Sequence, residues 1–159
     1  MSVFAYCPNL KSVNIQKGVK YIGQEAFTGC LKLKDITFPD SVTSIGDIVI
    51  DDTKYYNTKS NWKNGVLYVS NHLIEAKRSV NGNYTIKKGT KSIADYAFEG
   101  CAISSVTIPS SLTDIGYLAF ESCSKLKTIN YKGTMAQWKK VNSNKQDESL
   151  VNKVILCDD

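Results

Sequence analysis

Apolar positions recur along this chain in a fixed order. An aromatic ring is followed three residues on by a cysteine, then by an apolar triplet spaced L-x-x-L-x-L, then by a further apolar pair before a glycine. The segments Phe4-Ala5-Tyr6-Cys7, Phe27-Thr28-Gly29-Cys30, Phe98-Glu99-Gly100-Cys101 and Phe120-Glu121-Ser122-Cys123 stand in phase with a period of about 23 residues. The last interval is one residue shorter because Cys101-Ala102-Ile103 replaces Cys30-Leu31-Lys32-Leu33. The triplets Leu10/Val13/Ile15, Leu33/Ile36/Phe38, Ile103/Val106/Ile108 and Leu126/Ile129/Tyr131 each predict a short strand with its apolar residues inward. The pairs Val19/Ile22, Val42/Ile45 and Leu112/Ile115 precede Gly23, Gly46 and Gly116, where glycine suits a tight corner. Pro39 and Pro109 fall just past a strand, where a missing amide donor is tolerated. A single coil of this size cannot bury its apolar face, so the pattern predicts stacked coils sharing one continuous core.

Two stretches depart from the period. Ile50 occupies the ring slot, but the strand slots that follow fall on Tyr56, Lys59 and Asn61, which cannot all face a core. That coil is expected to be rebuilt. Trp62 to Ala76 reads as two short strands around a Ser70-Asn71 turn, a hairpin inserted in the solenoid. Ile86 to Ile93 echoes Ile15 to Ile22 and restores the phase. At the other break, Thr134 caps a short helix whose Met135, Trp138 and Val141 lie on one face and cover the end of the core, and Val154 to Cys157 adds a last strand. The expectation is a β-rich leucine-rich-repeat solenoid of about six coils in a single domain, 1–159. Regular repeats occupy 1–49 and 98–130, the rebuilt coil with its hairpin 50–97, and a capping segment with the one short helix 131–159. Phe27, Cys30, Phe98, Cys101, Phe120, Cys123 and Trp138 are the predicted core. No matching cap precedes Phe4, so the first coil is open to self-association or to further repeats.

Charge changes this picture little. The net charge is +5, with 7 basic and 6 acidic residues in 1–60, 6 and 3 in 61–100, and 7 and 6 in 101–159. The excess is spread along the chain, without the basic stripe that nucleic-acid binding requires. The longest apolar runs, such as Val66 to Val69, are far short of the ~20 residues that span a bilayer. Residues 1–8 carry neither the basic start nor the apolar stretch of a secretory signal.

The pattern F-x-x-C-x-x-L-x-x-I-x-I-P-x-S-V-T-x-I-G-x-x-A, clearest from Phe27 to Val49 and from Phe98 to Ala119, resembles the BspA-like leucine-rich repeats of bacterial cell-surface proteins. The rebuilt middle and the ending from Tyr131 through Trp138 to Cys157 share the likeness, which covers nearly the whole chain. It implies a secreted or surface-anchored protein that contacts host, matrix or neighbouring-cell proteins.

Site chemistry is sparse. Cys7, Cys30, Cys101 and Cys123 share one repeat slot and read as a ladder of buried free thiols packing as small hydrophobes, although neighbouring coils are close enough for disulfides. No C-x-x-C spacing suggests zinc, and Asp51-Asp52 and Asp158-Asp159 lack the loop that organises calcium. His72 is the only histidine and belongs to no catalytic motif, and no phosphate-binding glycine motif occurs. Asn83-Tyr84-Thr85 matches a glycosylation acceptor, a short signal that arises by chance. Neither cofactor nor metal is expected, and the function expected is a non-catalytic protein-binding or adhesion module. A spacer or self-associating segment is the alternative, and an enzyme a distant third. Two surfaces compete for a partner. The strand ladder points the small polar residues Asn14, Thr37, Thr107 and Asn130 outward. The rebuilt middle carries Tyr55, Tyr56, His72 and Arg78, side chains expected to be accessible and of the anchoring kind, and is the preferred site. Trp62 and Tyr68 are assigned to the hairpin's own core.

Overall fold

A computed structural model describes residues 3–141, 150 and 153–159; 142–149 and 151–152 of the predicted capping segment, and Met1 and Ser2 at the start, lie outside the described residues. The strands are β1 (Ser12–Asn14), β2 (Tyr21–Ile22), β3 (Asp35–Thr37) and β4 (Ser44–Ile45). A one-turn helix α1 (Lys54–Asn57) and a 3-10 turn (Lys59–Asn61) follow, then β5 (Trp62–Lys63), β6 (Val66–Val69), β7 (His72–Ala76), β8 (Asn81–Thr85) and β9 (Ser92–Ile93). The chain continues through β10 (Ala102–Pro109), β11 (Asp114–Ile115), β12 (Thr128–Lys132), α2 (Met135–Trp138) and β13 (Val154–Cys157).

The coils stack in register. Along one side β1 pairs with β3, and β8, β10, β12 and β13 form a parallel four-stranded ladder. The pairing sets Val13 opposite Ile36 and Val106 opposite Ile129, all turned inward, while Asn14 faces Thr37 and Thr107 faces Asn130 on the outside. The outward row bonds to itself, Thr37 Oγ1 donating to Asn14 Oδ1 at 2.9 Å. A second, two-residue ladder joins β2 to β4 and β7 to β9 to β11.

The ring-to-cysteine corner has no strands but is held as tightly. Amides at Glu25, Phe27 and Gly29 donate to the carbonyls of Asp47, Val49 and Asp51, and those at Tyr96, Phe98 and Gly100 to Tyr117, Ala119 and Glu121. To turn there, the chain takes positive φ two residues before the ring slot (Glu25, Ile48, Tyr96, Leu118) and two after it (Tyr6, Gly29, Asp52, Gly100, Ser122). Inside the corner the rings stack, Phe4 on Phe27 with centroids 5.7 Å apart and Phe98 on Phe120 at 5.1 Å.

The cysteine slot has a polar explanation as well as an apolar one. The thiols of Cys30 and Cys123 donate to the carbonyls of Phe4 and Phe98 in the preceding coil, at 3.1 and 3.0 Å, and Cys101 reaches Lys77 O at 3.5 Å. A thiol is therefore small enough for the core and supplies an additional donor to a carbonyl of the preceding coil. Cys30, Cys101 and Cys123 are buried free thiols; Cys7, in the outermost coil, is half-buried. Burial pushes the Cys101 thiol up to about 12, with Cys123 adding to it, so it stays protonated.

Four expectations need correction. Gly46 and Gly116 have no positive φ. They are glycines because a Cβ would lie 2.4 Å from Gln24 N, or from Ala94 C and Asp95 N, in the adjacent coil. The helix near Trp138 is not alone: Thr53, fully buried, accepts from Tyr56 N through its hydroxyl and starts α1, so the unsuitable strand slots become a helical turn. The middle holds three antiparallel strands rather than two, because Asn64 and Gly65, both at positive φ, make a second tight turn between β5 and β6. Trp138 is half-buried and not a fully buried core residue: it packs against the core with its ring 5.3 Å from that of the buried Tyr131, and it is Val141 of the same segment that is buried. The Thr134 cap forms as expected, with Gln137 completing a capping box.

At the opposite end Phe4 is 49% and Val19 37% exposed, whereas Phe27 and Val42, one coil in, are 3% and 0%. The apolar slots of the first coil are thus partly uncovered. Since coil spacing leaves no room for a methyl group at the corner, Gly116→Ala is expected to lower stability by about 2–3 kcal/mol, measured as the midpoint of urea unfolding; an unchanged midpoint would show that the coils can separate locally.

Candidate functional site

The strand ladder breaks where the middle coil is rebuilt. β3 pairs only with β1, and β8 only with β10, so each presents an edge to the gap. Hydroxyls from the tip of the β6–β7 hairpin stand in for the missing strand: Phe38 N donates to Ser70 Oγ at 3.1 Å, and Lys87 N to Tyr68 Oη at 3.3 Å. Two amides are satisfied and the gap stays open, as a cleft of about 720 Å³.

Tyr55, Tyr68 and Tyr84 supply its aromatic surface, Ser60, Asn61, Asn64, Ser70 and Thr85 its neutral polar groups, and Lys63 and Lys87 its charge. The tyrosines are fixed. Tyr55 Oη donates to Tyr68 O at 2.7 Å, Tyr68 Oη and Tyr84 Oη lie 3.5 Å apart, and the Tyr84 ring meets Phe98 edge-on at 5.6 Å. Burial raises the pKa of all three, so they remain neutral hydroxyls at ordinary pH. A second groove, of about 520 Å³, gathers Lys11, Lys32, Lys34 and Lys54 around the exposed Leu31. Lys54 on α1 borders this groove and Tyr55 borders the cleft. The fold therefore concentrates charge that looks diffuse along the chain, since Lys11 and Lys34 are about one period apart and stack.

The structure separates the residues predicted to act together. Only Tyr55 lines the cleft. Tyr56 turns the other way, its ring edge-on to Trp62 at 5.2 Å and its hydroxyl donating to Glu75 Oε1 at 3.1 Å. Arg78 is exposed but sits on the ring-to-cysteine corner, paired with Glu99 at 3.2 Å. His72, expected to be accessible, is fully buried. Its Nε2 is 3.1 Å from the Pro39 carbonyl, which can only accept, so Nε2 carries the proton and Nδ1 accepts from Ser92 Oγ at 2.8 Å. Burial lowers its pKa, and it serves as a neutral tie between the hairpin and two coils. Tyr68, assigned to the hairpin core, instead walls the cleft, while Trp62 does pack within the insertion beneath Lys77 Nζ at 4.6 Å. Asn14, Thr37, Thr107 and Asn130 lie on the ladder as predicted, and Thr85, at the cleft rim, belongs to the same row because it pairs with Thr107. Ser60, Asn61, Lys63, Asn64, Tyr84 and Lys87 were not predicted. The available signal was the Asn64-Gly65 pair, which marks a hairpin turn and places its flanks.

Behind Tyr56 lies a part-buried acidic pair. Burial and then Asp51 push Glu75 up to about 7, and burial with Asp47 and Asp52 pushes Asp51 up to about 6. Among the described residues no three His, Cys, Asp or Glu side chains come together as a metal site would require, and no helix is long and apolar enough to cross a membrane.

Stacked coils carrying L-x-x-L-x-L strands, with one coil rebuilt around a cleft, define a leucine-rich-repeat solenoid. The model of the BspA type leucine rich repeat region matches residues 1–127 and 77–141, with 6 copies in the chain. The chain belongs to that family. Among solved structures it is similar to a leucine rich cell surface protein from Faecalibacterium prausnitzii A2-165, with 18% identity over 90% of this chain and 65% of that one, TM-score 0.36. It is also similar to a T. pallidum leucine rich repeat protein, with 20% identity over 98% and 64% and TM-score 0.40. The chain therefore spans just under two thirds of the length of these two proteins. Comparison with curated proteins found no match.

Two expected outcomes test the groups around the insertion. His72→Leu keeps apolar volume but leaves the Pro39 carbonyl and the buried Ser92 hydroxyl unpaired, and should cost about 2–3 kcal/mol in denaturant unfolding; a near-neutral result would show that water enters. Glu75 holds its proton to about pH 7 in the fold and releases it near 4.5 when unfolded, so its ionisation destabilises the fold progressively across that window. Glu75→Gln should therefore raise the melting temperature by about 3 °C at pH 8 and leave it unchanged at pH 4. An equal shift at both pH values would show that charge is not the cause.

Proposed function

We propose that this chain is a non-catalytic protein-binding module of a secreted or cell-surface protein, and that the cleft at the ladder break is where its partner docks. The observation that carries this reading is the lining itself. Three held tyrosines with serines, asparagines and a threonine form a concave surface of the composition antibody loops use, where rigid amphipathic rings supply area at small entropic cost and short polar side chains adapt their hydrogen bonds. The regular ladder offers the same polar groups without rings. Surface location is supported by family membership. A non-catalytic role is supported by the state of the chemical groups: both nitrogens of the single histidine are engaged in the core, and burial raises the Cys30 and Cys101 thiols away from reactivity.

A second reading, self-association, is favoured by the partly uncovered first coil, where Phe4 and Val19 lie exposed. A panel of matrix and host-surface proteins captured on the immobilised chain, run beside sedimentation of the free chain, separates the two. Ser60 is exposed at the cleft rim, so Ser60→Trp fills the cleft with little cost to folding. It should weaken capture of a bound partner at least tenfold, a loss of roughly 1.4 kcal/mol, at an unchanged melting temperature, while Asn14→Ala and Arg78→Ala leave capture intact. Full capture by Ser60→Trp would place the contact elsewhere.

A further inference from the structure

Resting on the docking reading above, we propose that the occupant of the cleft is an extended acidic polypeptide segment, added as a short strand to the open edge of β8 between Lys63 and Lys87. The backbone supplies the first reason. β8 is paired on one side only. Ile86 N donates to Thr107 O on that paired side at 2.9 Å, and Lys87 N points the opposite way to Tyr68 Oη. Successive residues of a strand alternate in this respect, so Thr85, which lines the cleft, directs its amide and carbonyl away from β10 and into the gap. An adjacent donor and acceptor on a sheet edge is the feature that extended peptides use when they add a strand.

Charge supplies the second reason. The cleft is lined by two lysines and no carboxylate, and α1 connects it to the groove of Lys11, Lys32, Lys34 and Lys54. One carboxylate, Asp35, is ion-paired with Lys34 of that groove at 3.6 Å; a separate acidic group lies on the ring-to-cysteine corner, where Asp47 is within electrostatic range of Glu25, Asp95 and Glu99. The lining of the cleft therefore holds Lys63 and Lys87 without a carboxylate, while the acidic group on the corner is absent from that lining. An incoming segment with carboxylates is steered to the cleft lysines and repelled by the corner acids. At a rise of about 3.3 Å per residue, four or five residues would run the length of β8, and the flanking residues would extend toward the groove.

The backbone feature decides between polypeptide and another extended polyanion. A sulfated polysaccharide would satisfy the lysines equally well but has no amide and carbonyl in alternation to match Thr85. Its binding is therefore an outcome of the test.

The experiment is selection of a randomised twelve-residue display library on the whole immobilised chain, followed by fluorescence anisotropy with the enriched peptides. The expected result is enrichment of Asp- and Glu-containing sequences without central proline. Their affinity should fall at least tenfold in the Lys63→Glu/Lys87→Glu double variant and in Ser60→Trp. It should also fall at least fivefold when alternate peptide amides, and not those between them, are N-methylated. Enriched peptides that are neutral or basic yet lost in Ser60→Trp would overturn the acidic assignment and leave the docking site standing. Enriched peptides indifferent to Ser60→Trp would overturn both. A heparin octasaccharide that binds with the same lysine dependence, together with peptides insensitive to N-methylation, would replace the added strand with a general polyanion track. Failure to enrich any peptide would also overturn the proposal.

Discussion

Everything in this molecule depends on one spacing, that at which one coil's backbone amides reach the carbonyls of the next. Strand neighbours lie about 4.8 Å apart, and the corner bonds from Glu25, Phe27 and Gly29 to Asp47, Val49 and Asp51 keep the stacking close where there is no strand. Side chains must comply with it. Rings at the corner stack face to face, thiols at the next slot donate to a carbonyl one coil away, and Gly46 and Gly116 keep their hydrogens because any Cβ would enter the neighbouring backbone. The left-handed corner residues follow from the same demand. Glu25, Ile48, Tyr96 and Leu118 accept an unfavourable φ because leaving it would break the inter-coil bonds on either side.

Where a coil cannot meet that spacing, the fold exchanges main-chain partners for side-chain ones. Tyr56, Lys59 and Asn61 do not suit inward strand positions, and Thr53 diverts the chain into a helical turn instead. The displaced chain returns as a hairpin whose last strand rejoins the second ladder beside β9, with His72 tying it to Pro39 and Ser92. Ser70 and Tyr68 cap an amide on each side of the gap. Hydroxyls reach these amides from one end, so the breach is bridged without being filled. That is why a cleft exists at this place and not along the intact ladder.

The insertion also collects the ionisable groups whose environment matters most. Glu75 and Asp51 share a part-buried pocket behind Tyr56 and repel each other as they ionise, whereas His72 resists gaining charge. In the regular coils repetition aligns charges into rows: Lys11 with Lys34 beside one groove, and acids along the corner, where burial and its acidic neighbours raise the pKa of Asp47. Repeat proteins convert a periodic residue into a row, so a residue type that recurs once per coil sets the electrostatics of a whole face.

The repeat architecture, the inward slots, the cysteine ladder, the Thr134 cap and the existence of an inserted hairpin were legible in the sequence. Each is a local pattern repeated at a fixed interval, and stacking leaves one way to bury it. The same periodicity placed Asn14, Thr37, Thr107 and Asn130 outside. What remained hidden concerns residues outside the period. Tyr55 and Tyr56 are sequence neighbours on one helical turn, yet they face a cleft and an acidic pocket respectively. His72 reads as an accessible residue of the hairpin until two other coils supply its acceptor, the Pro39 carbonyl, and its donor, the Ser92 hydroxyl. Lys63 and Lys87, distant in sequence, border one cleft only because the hairpin folds back across the gap. Periodic residues carry their neighbours with them, one interval away, and so declare their place. Residues of the insertion acquire neighbours only when the chain closes on itself, and for those the tertiary structure alone decides.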